Sequence, residues 1–414
     1  MSASFPKGWE KLELGSFCVE HRRRAKGTDL PIFSVSKDYG LIAQSELFDR
    51  RIASADTSNY KTLKRGEYAY DPMLLWTGSI GCLWRSDEAM ISPAYTTFGV
   101  DNKTVLPRFF DTLIKMPRMI DRYRSISHGT NVRRKKAHFD DFASLVVAIP
   151  PLAEQRAIAE VLGAVEDAIV KTEAFLDEVE RRKADLARAA AEARKDSYSV
   201  RLKDIIRSMD GGVSVSGELR RKEDGEYGVL RTSSVSLGIF KPENIKVIAK
   251  KDIARASTKP LADRIIFSRA NTPELVGASA YVAQDHNDIY LSDKLWQIDV
   301  RDRNSICVRW LAVVLNSPRV RQLISLRANG TSSSMQNISK SALLSIAIQV
   351  PPIEVQKSLA GLADAVENRQ ILELNYLDQL RATYASLTQE LLSGRLRLPA
   401  NIIARHQEKT GQAA

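Results

Sequence analysis

The hexapeptide PPLAEQ, Pro150 to Gln155, returns as PPIEVQ at Pro351 to Gln356, and the offset of 201 residues extends well beyond the motif. At that same offset Gly129-Thr130 matches Gly330-Thr331, Val165-Glu166 matches Val366-Glu367, and the tripeptide Phe175 to Asp177 matches Tyr376 to Asp378. A register held over so many positions means that the chain is one unit written twice. The starts of the copies also correspond: WEKLELGSF (Trp9 to Phe17) is similar to YSVRLKDII (Tyr198 to Ile206), with Leu14 and Leu202 at an offset of 188. The second copy therefore holds about 13 extra residues in its middle. Between the anchors only scattered features agree, such as LKRGEYAYD (Leu63 to Asp71) beside LADRIIFSR (Leu261 to Arg269). The ends are duplicated and the middles have diverged.

Each motif opens a helix. Two prolines suit a first turn, where a missing N–H costs nothing, and an early glutamate complements the positive helix end. Downstream, Ile158, Leu162, Val165, Ile169, Thr172, Leu176, Val179, Lys183, Leu186 and Ala190 alternate steps of four and three, a heptad seam interrupted at Lys183. In the second copy Leu359, Ala363, Val366, Leu377, Leu380, Tyr384, Leu387 and Leu391 keep that frame, while Gln370 and Glu373 break it. The neighbouring Ile371 and Leu374 predict that the apolar stripe drifts there. A helix of this length spans roughly 60 Å and cannot bury its seam against itself. The pattern predicts that the two copies pair as an intramolecular coiled coil holding two globular modules apart; the alternative is two helices buried in separate cores.

The predicted organisation is a module over 1–150, a spacer helix over 151–196, a second module over 197–351, a second spacer helix over 352–393 and a tail over 394–414, polar after Ala404. The modules read as α+β, with short apolar runs such as LPIFSVS (Leu30 to Ser36), GVLRTSSV (Gly228 to Val235) and LWQIDV (Leu295 to Val300) separated by glycine, asparagine and proline. No stretch approaches the ~20 apolar residues of a membrane span, and the start lacks the pattern of a signal peptide. Cys18, Cys82 and Cys307 lie far apart, which suggests neither a disulfide framework nor a zinc cluster. The expectation is a soluble, cytoplasmic protein.

Charge separates the two kinds of segment. The chain carries a net +11, yet residues 154–196 and 354–392 are each acidic by about three charges, so the modules and tail hold the whole basic surplus. An anionic partner should therefore meet the modules. Four basic clusters fall in predicted loops: HRRRAKG with Arg22, Arg23, Arg24 and Lys26; NVRRKKAH with Arg133, Arg134, Lys135 and Lys136; ELRRKEDG with Arg220, Arg221 and Lys222; and KKDIAR with Lys250 and Lys251. Such side chains neutralise phosphates and set register without reading sequence. Base edges need mixed donors and acceptors. Both modules end in such a stretch, Gly129, Thr130 and Asn131 in one, and Gly330, Thr331, Ser332, Ser333, Ser334, Gln336 and Asn337 in the other. The same residues also suit a capped turn leading into a helix.

Catalytic signatures are missing. There is no GxxxxGK[ST] phosphate loop, and GSIG (Gly78 to Gly81) lacks the pattern of a dinucleotide fingerprint. Ile149 and Val350 precede the proline pairs, so no Asn-Pro-Pro-aromatic site for holding a methylatable base is present. His21, His128, His138, His286 and His406 show no metal spacing. The residues describe a chain that binds and does not catalyse, and no catalytic or metal-ligating residue is assigned.

Two divergent modules, each closing on Gly-Thr, then PPLAEQ with RAIAEVLGAVEDAI or its counterpart, resemble the specificity (S) subunit of type I restriction-modification systems. The resemblance runs from Trp9 to about Leu398, and PPIEVQ departs from PPLAEQ by placing Val355 where Glu154 stands. It implies that each module is a target recognition domain reading one half of a bipartite, non-palindromic site in double-stranded DNA. The helices, paired antiparallel about a pseudo-twofold axis, would set the unread spacer and dock two methyltransferase (M) subunits. S-adenosylmethionine would belong to the M subunits, ATP and Mg to two restriction (R) subunits, and no cofactor to this chain. Two other classes remain to be separated from this one. A lone DNA-modifying enzyme would methylate or cut DNA unaided, and a coiled-coil scaffold would not discriminate a bipartite duplex from scrambled DNA.

Overall fold

The computed structural model describes residues 6–25, 29–47, 57–129, 135–236, 238–332 and 335–407 of the 414. The chain packs as two compact units, Met1–Val170 with Asp378–Ala414, and Lys171–Leu377. Each unit is α+β and combines one globular part with half of each long helix.

Unit 1 contains β1 (Glu10–Glu13), β2 (Cys18–His21), β3 (Ile32–Ser36), β4 (Gly40–Ala43), β5 (Lys61–Lys64), β6 (Tyr68–Tyr70), β7 (Ile80–Cys82), β8 (Glu88–Ile91), β9 (Thr96–Val100) and β10 (Val146–Ile149). Its sheets run β2-β9-β6-β7 and β4-β3-β8-β5, with β3 and β8 parallel. The first sheet buries an aromatic cluster in which Tyr68 stacks on Phe98 at 5.3 Å and Phe142 lies 5.3 Å from Phe98. Helix α1 (Pro107–Ile114) starts on proline and buries Phe109, Phe110, Leu113 and Ile114 against that core.

Unit 2 repeats the frame with β11 (Tyr198–Arg201), β12 (Ile206–Gly211), β13 (Gly217–Glu218), β14 (Gly228–Leu230), β15 (Ile245–Ile248), β16 (Arg264–Ser268), β17 (Ala270–Asn271), β18 (Ser279–Val282), β19 (Ile289–Tyr290), β20 (Leu295–Val300), β21 (Asn329–Ser332), β22 (Met335–Asn337) and β23 (Ala347–Val350). Its sheet β12-β20-β16-β18 matches β2-β9-β6-β7, and the parallel pair of β14 and β19 matches that of β3 and β8. In place of β5 the second sheet adds β13 on its other side, giving β13-β15-β14-β19. The duplication reaches single-residue register. Strand β1 pairs with β10 from Glu10 opposite Ile149, and β11 with β23 from Tyr198 opposite Val350, at the offsets of 188 and 201.

The long helices α2 (Leu152–Ala191) and α4 (Ile353–Ser393) begin one residue after each proline pair; α3 (Val308–Leu315) is the unit 2 counterpart of α1. In unit 1 Ile158 and Leu162 share a core with Leu391 and Leu392, and the Tyr384 hydroxyl donates to Glu166, so the halves run antiparallel. In unit 2 Ala187 and Ala190 share a core with Ala360 and Ala363, while Lys183 meets Gln370. Each seam position from Ile158 to Ala190 and from Leu359 to Leu391 is buried or half-buried.

The expected drift of the stripe at Ile371 does not occur. Gln370 stays in the seam at 2% exposure and Ile371 is exposed, because the two residues that break the apolar pattern satisfy each other. Lys183 Nζ donates to Gln370 Oε1 at 2.9 Å, and Gln370 Nε2 donates to Glu180. Burial pushes the Lys183 pKa down, against the pull of Glu180 and Glu367. Beyond α4, Ala400–Gln407 forms helix α5, and the last seven residues of the tail lie outside the described residues.

A buried polar pair costs most when one partner is removed, about 1–3 kcal/mol for an abandoned group. Lys183→Leu and Gln370→Leu should therefore each lower the melting temperature, and the double variant should recover most of the loss. Circular dichroism melts of the four proteins check this; additive losses would show that the two side chains are not coupled.

Candidate nucleic-acid interface

The Gly330-Thr331 stretch lies in a hairpin, the backbone either side of the unit 1 stretch is paired at His128 and Lys136, and both stand on the same support. In unit 1 His128 and Lys136 exchange backbone hydrogen bonds of 3.0 and 2.9 Å. The Ala137 N–H then donates to Pro72 O (2.9 Å), in the segment after β6. In unit 2 β21 and β22 form the arms, β22 pairs with β17, and the Ile338 N–H donates to Arg269 O (3.0 Å), in the segment after β16. Each unit thus places this pairing beside the loop that leaves the third strand of its first sheet.

The glycines have local reasons. Gly129 adopts φ +143, and a Cβ on Gly330 would lie 2.2 Å from Met335 O across the hairpin. In unit 2 the helix that follows is capped, Ser339 accepting from the Ala342 N–H, whereas in unit 1 the matching helix starts after His138 with no side-chain cap. Thr130, Asn131, Arg133 and Arg134, together with Lys26, Ser333 and Ser334, lie outside the described residues. Thr331 and Ser332 belong to β21, and Gln336 and Asn337 to β22, where they pair opposite Asn271 and Ala270. The Lys135 ammonium lies 5.6 Å from the Trp76 ring.

The structure brings Arg22, Arg24 and Lys136 into one polar groove of unit 1, shared with Asn59, Lys61 and Thr96. Nothing in the charge clusters pointed to Asn59 or Lys61, which are single polar residues in an unremarkable stretch. They are placed by backbone pairing: the Ala25 N–H donates to Tyr60 O (2.8 Å) and the Thr62 N–H to Arg23 O (2.9 Å). Arg220 and Lys222 are engaged differently. Arg220 grips Glu226 at 2.7 and 2.5 Å and also reaches Glu218, and Lys222 pairs with Asp288. These two cations pin the loop between β13 and β14. Arg221, Lys250 and Lys251 are exposed beside them, near a different sheet from the hairpin.

The family described as "Type I restriction modification DNA specificity domain" matches residues 194–381. The specificity subunit of the EcoEI type I restriction enzyme of Escherichia coli is 27% identical over 158 residues, 38% of this chain and 26% of that protein. The EcoKI specificity subunit of Escherichia coli K12 is 23% identical over 332 residues, 70% of this chain and 69% of that protein. Residues 194–381, a little under half of the chain, are thus similar to the type I DNA specificity domain. Its fold is shared with the crystal structure of a type I S subunit from M. genitalium, at a TM-score of 0.60 and 12% identity over 94% of this chain and 97% of that one. A chain from a solved type I R-M system matches at a TM-score of 0.52 and 16% identity, over 95% of this chain and all of that one.

In unit 1 the arginine run after β2 is split by its neighbours. Arg22 pairs with Glu20 at 3.2 Å, Arg24 donates to Asn59 Oδ1 at 2.9 Å, and Arg23 turns to Glu67, which also accepts from the Lys64 N–H at 2.7 Å. Burial alone would raise the Glu67 pKa; hydrogen bonds from His21, Arg23 and the Lys64 amide outweigh it and hold the carboxyl at about 2 instead of its ordinary 4.5. A depressed carboxyl contributes stability above the unfolded value and loses it as pH falls toward the folded one. Glu67→Gln should therefore flatten the acid limb of stability between pH 4.5 and about 2. Denaturant titrations at stepped pH check this, and an unchanged acid limb would refute the assignment.

Proposed function

We propose that this chain is the DNA-reading subunit of a type I restriction-modification assembly, with each globular part reading one half of a bipartite, non-palindromic site in double-stranded DNA. The observation that carries the reading is the pairing of identical frames with unlike hairpins. The β1–β10 and β11–β23 ladders agree residue for residue, while the stretches they present, HGTNVRRK and NGTSSSMQNIS, share little beyond Gly-Thr. A frame kept and a surface changed is what two readers of different half-sites require. The candidate contacts are the basic residues Arg22, Arg24, Lys135, Lys136, Arg221, Lys250 and Lys251 and the hairpin residues around Gly129 and Gly330.

In this reading the chain takes no chemical step and carries no cofactor. The long helices set the unread spacer and offer docking faces to two methyltransferase subunits, which would bring S-adenosylmethionine; two restriction subunits would bring ATP and Mg. Leu362, Leu372 and Tyr376 support the docking, being large apolar residues exposed on α4. No helix among the described residues is long and apolar enough to cross a membrane.

Two results test the reading in cells carrying the chain with its methyltransferase partner. Exchanging residues 1–150 for those of a relative should change one half of the methylated sequence and leave the other as it was. Removing seven residues from α2 and seven from α4 at matched heptad positions should shorten the spacer by ~10 Å, roughly three base pairs. Methylome sequencing reads both. A change in both halves after the exchange would overturn independent reading, and an unchanged spacer would overturn the ruler.

A further inference from the structure

The unit 1 groove lies where the two units differ: β5, which carries Lys61, has no counterpart in unit 2, and one matching strand position holds a threonine in one unit and a tryptophan in the other. Thr96 on β9 stands opposite Tyr70 on β6; Trp296 on β20 stands opposite Phe267 on β16 in the matching sheet. Equal register puts the two side chains on the same face of their sheets. In unit 2 the tryptophan is 5% exposed and stacks on Phe267 at 6.0 Å. The Arg269 guanidinium and the Lys340 ammonium lie 5.8 and 5.9 Å from its ring, and Lys340 Nζ donates to Met209 O at 2.5 Å. The cations of unit 2 are thus spent on an aromatic face and a carbonyl.

In unit 1 the threonine leaves a groove of about 430 Å³, with Arg22, Arg24, Asn59, Lys61 and Lys136 lining it. The acids at its edge are Glu20, paired with Arg22, and Asp140. Four cations against two carboxylates leave it positive. Asn59 Oδ1 fixes Arg24, and Tyr95 O fixes Lys61 Nζ at 2.5 Å, so both are oriented before any ligand arrives. Lys61 is half-buried, and its burial disfavours its charge, with Glu20 pulling the other way and Arg22 adding to the penalty. An anion entering the groove relieves that penalty.

We infer that this unit 1 groove is a phosphodiester clamp, in which Lys61 and Arg24 hold one backbone phosphate of the duplex while the residues leading into Lys136 meet the bases. The inference rests on the DNA-reading function proposed above. Lysine and arginine in this arrangement give position and salt dependence, whereas base discrimination needs donors and acceptors at groove edges. The clamp therefore sets where the first reader sits, and its loss is felt equally on all sequences.

The test uses the full-length chain on a mixed-sequence duplex, with affinity followed by fluorescence anisotropy from roughly 50 to 300 mM KCl. Lys61→Met should lower the slope of log affinity against log salt by about one, and Lys61→Arg should keep it. Thr96→Trp, which copies the unit 2 residue, should lower the slope by at least as much. Selection from a randomised duplex pool should return the same sequence preference for the wild type and Lys61→Met. Should Thr96→Trp fail to fold, the Lys61 pair decides alone. An unchanged slope in Lys61→Met, or a changed preference at one half-site, would overturn the clamp. A wild type that enriches no sequence would overturn the DNA-reading function itself, a different failure from a discriminating wild type with an unmoved slope.

Discussion

One buried amide fixes where each long helix leaves its globular part. In unit 1 Gln155 Oε1 accepts the Leu106 N–H at 2.8 Å, and Nε2 donates to Thr104 O at 3.0 Å and Pro150 O at 2.8 Å. In unit 2 Gln356 repeats this with Cys307 N–H, Ser305 O and Pro351 O at 2.9, 2.9 and 2.8 Å. Both side chains are fully buried, and each uses both amide hydrogens and its oxygen. The loop that launches α1 or α3 is thereby tied to the first turn of α2 or α4. No other residue type offers one acceptor and two donors at that reach in a neutral group of that size, so the last letter of PPLAEQ and PPIEVQ is the one both copies must keep.

The letter before it was free to change, and the structure gives the reason. Glu154 is buried at 2% exposure, and Arg397 grips it at 3.0 and 2.6 Å while the Trp9 indole donates at 3.3 Å. Arg397 also donates to Lys7 O at 3.1 Å, and a Cβ on Gly394 would fall 2.3 Å from Pro6 Cγ. In unit 1 the segment after α4 is thus held to α2 by a charge pair and to the segment before β1 by a hydrogen bond. In unit 2 the segment between α2 and β11 is continuous chain, and the corresponding Val355 packs against the apolar core instead. A buried carboxylate is tolerable only with its partner, so it occurs in the copy where a connection must be made without a peptide bond.

The frame of this protein was legible in its sequence because duplication and heptad spacing are both matters of counting. Equal offsets located the matching ends of the two copies, and steps of three and four located seam residues that the structure buries or half-buries, though not Ala187, Ala360 or Leu392, which it buries as well. The drift expected at Ile371 failed because hydrophobicity alone cannot show that Lys183 and Gln370 are partners; their meeting depends on two helices that are far apart in sequence. Of the candidate interface, the hairpins and basic clusters were visible as composition. Their engagement was not. Arg220 and Lys222 looked like Arg22 and Lys136 in the sequence, yet acids brought by folding, Glu226 and Asp288, occupy the first pair. Asn59 and Lys61 gave no signal because a single polar residue gains meaning only from the groove around it.

The same contrast bears on how a duplicated reader can diverge without losing its fold. The ladders, the glutamine latches and the helix seam lie at the ends of each copy and are bound to each other by register, so a change there disturbs several contacts at once. A position such as Thr96 or Trp296 sits in a central strand whose backbone pairs are made whatever the side chain. In unit 2 the Trp296 ring draws Arg269 and Lys340 to its face, and the sheet it stands on keeps the strand order of unit 1. Charge near the hairpin of unit 2 is thus engaged by what lies beneath it. Counting basic residues therefore measures the capacity of such a module to hold an anion, and the residues under them decide how much of that capacity is used.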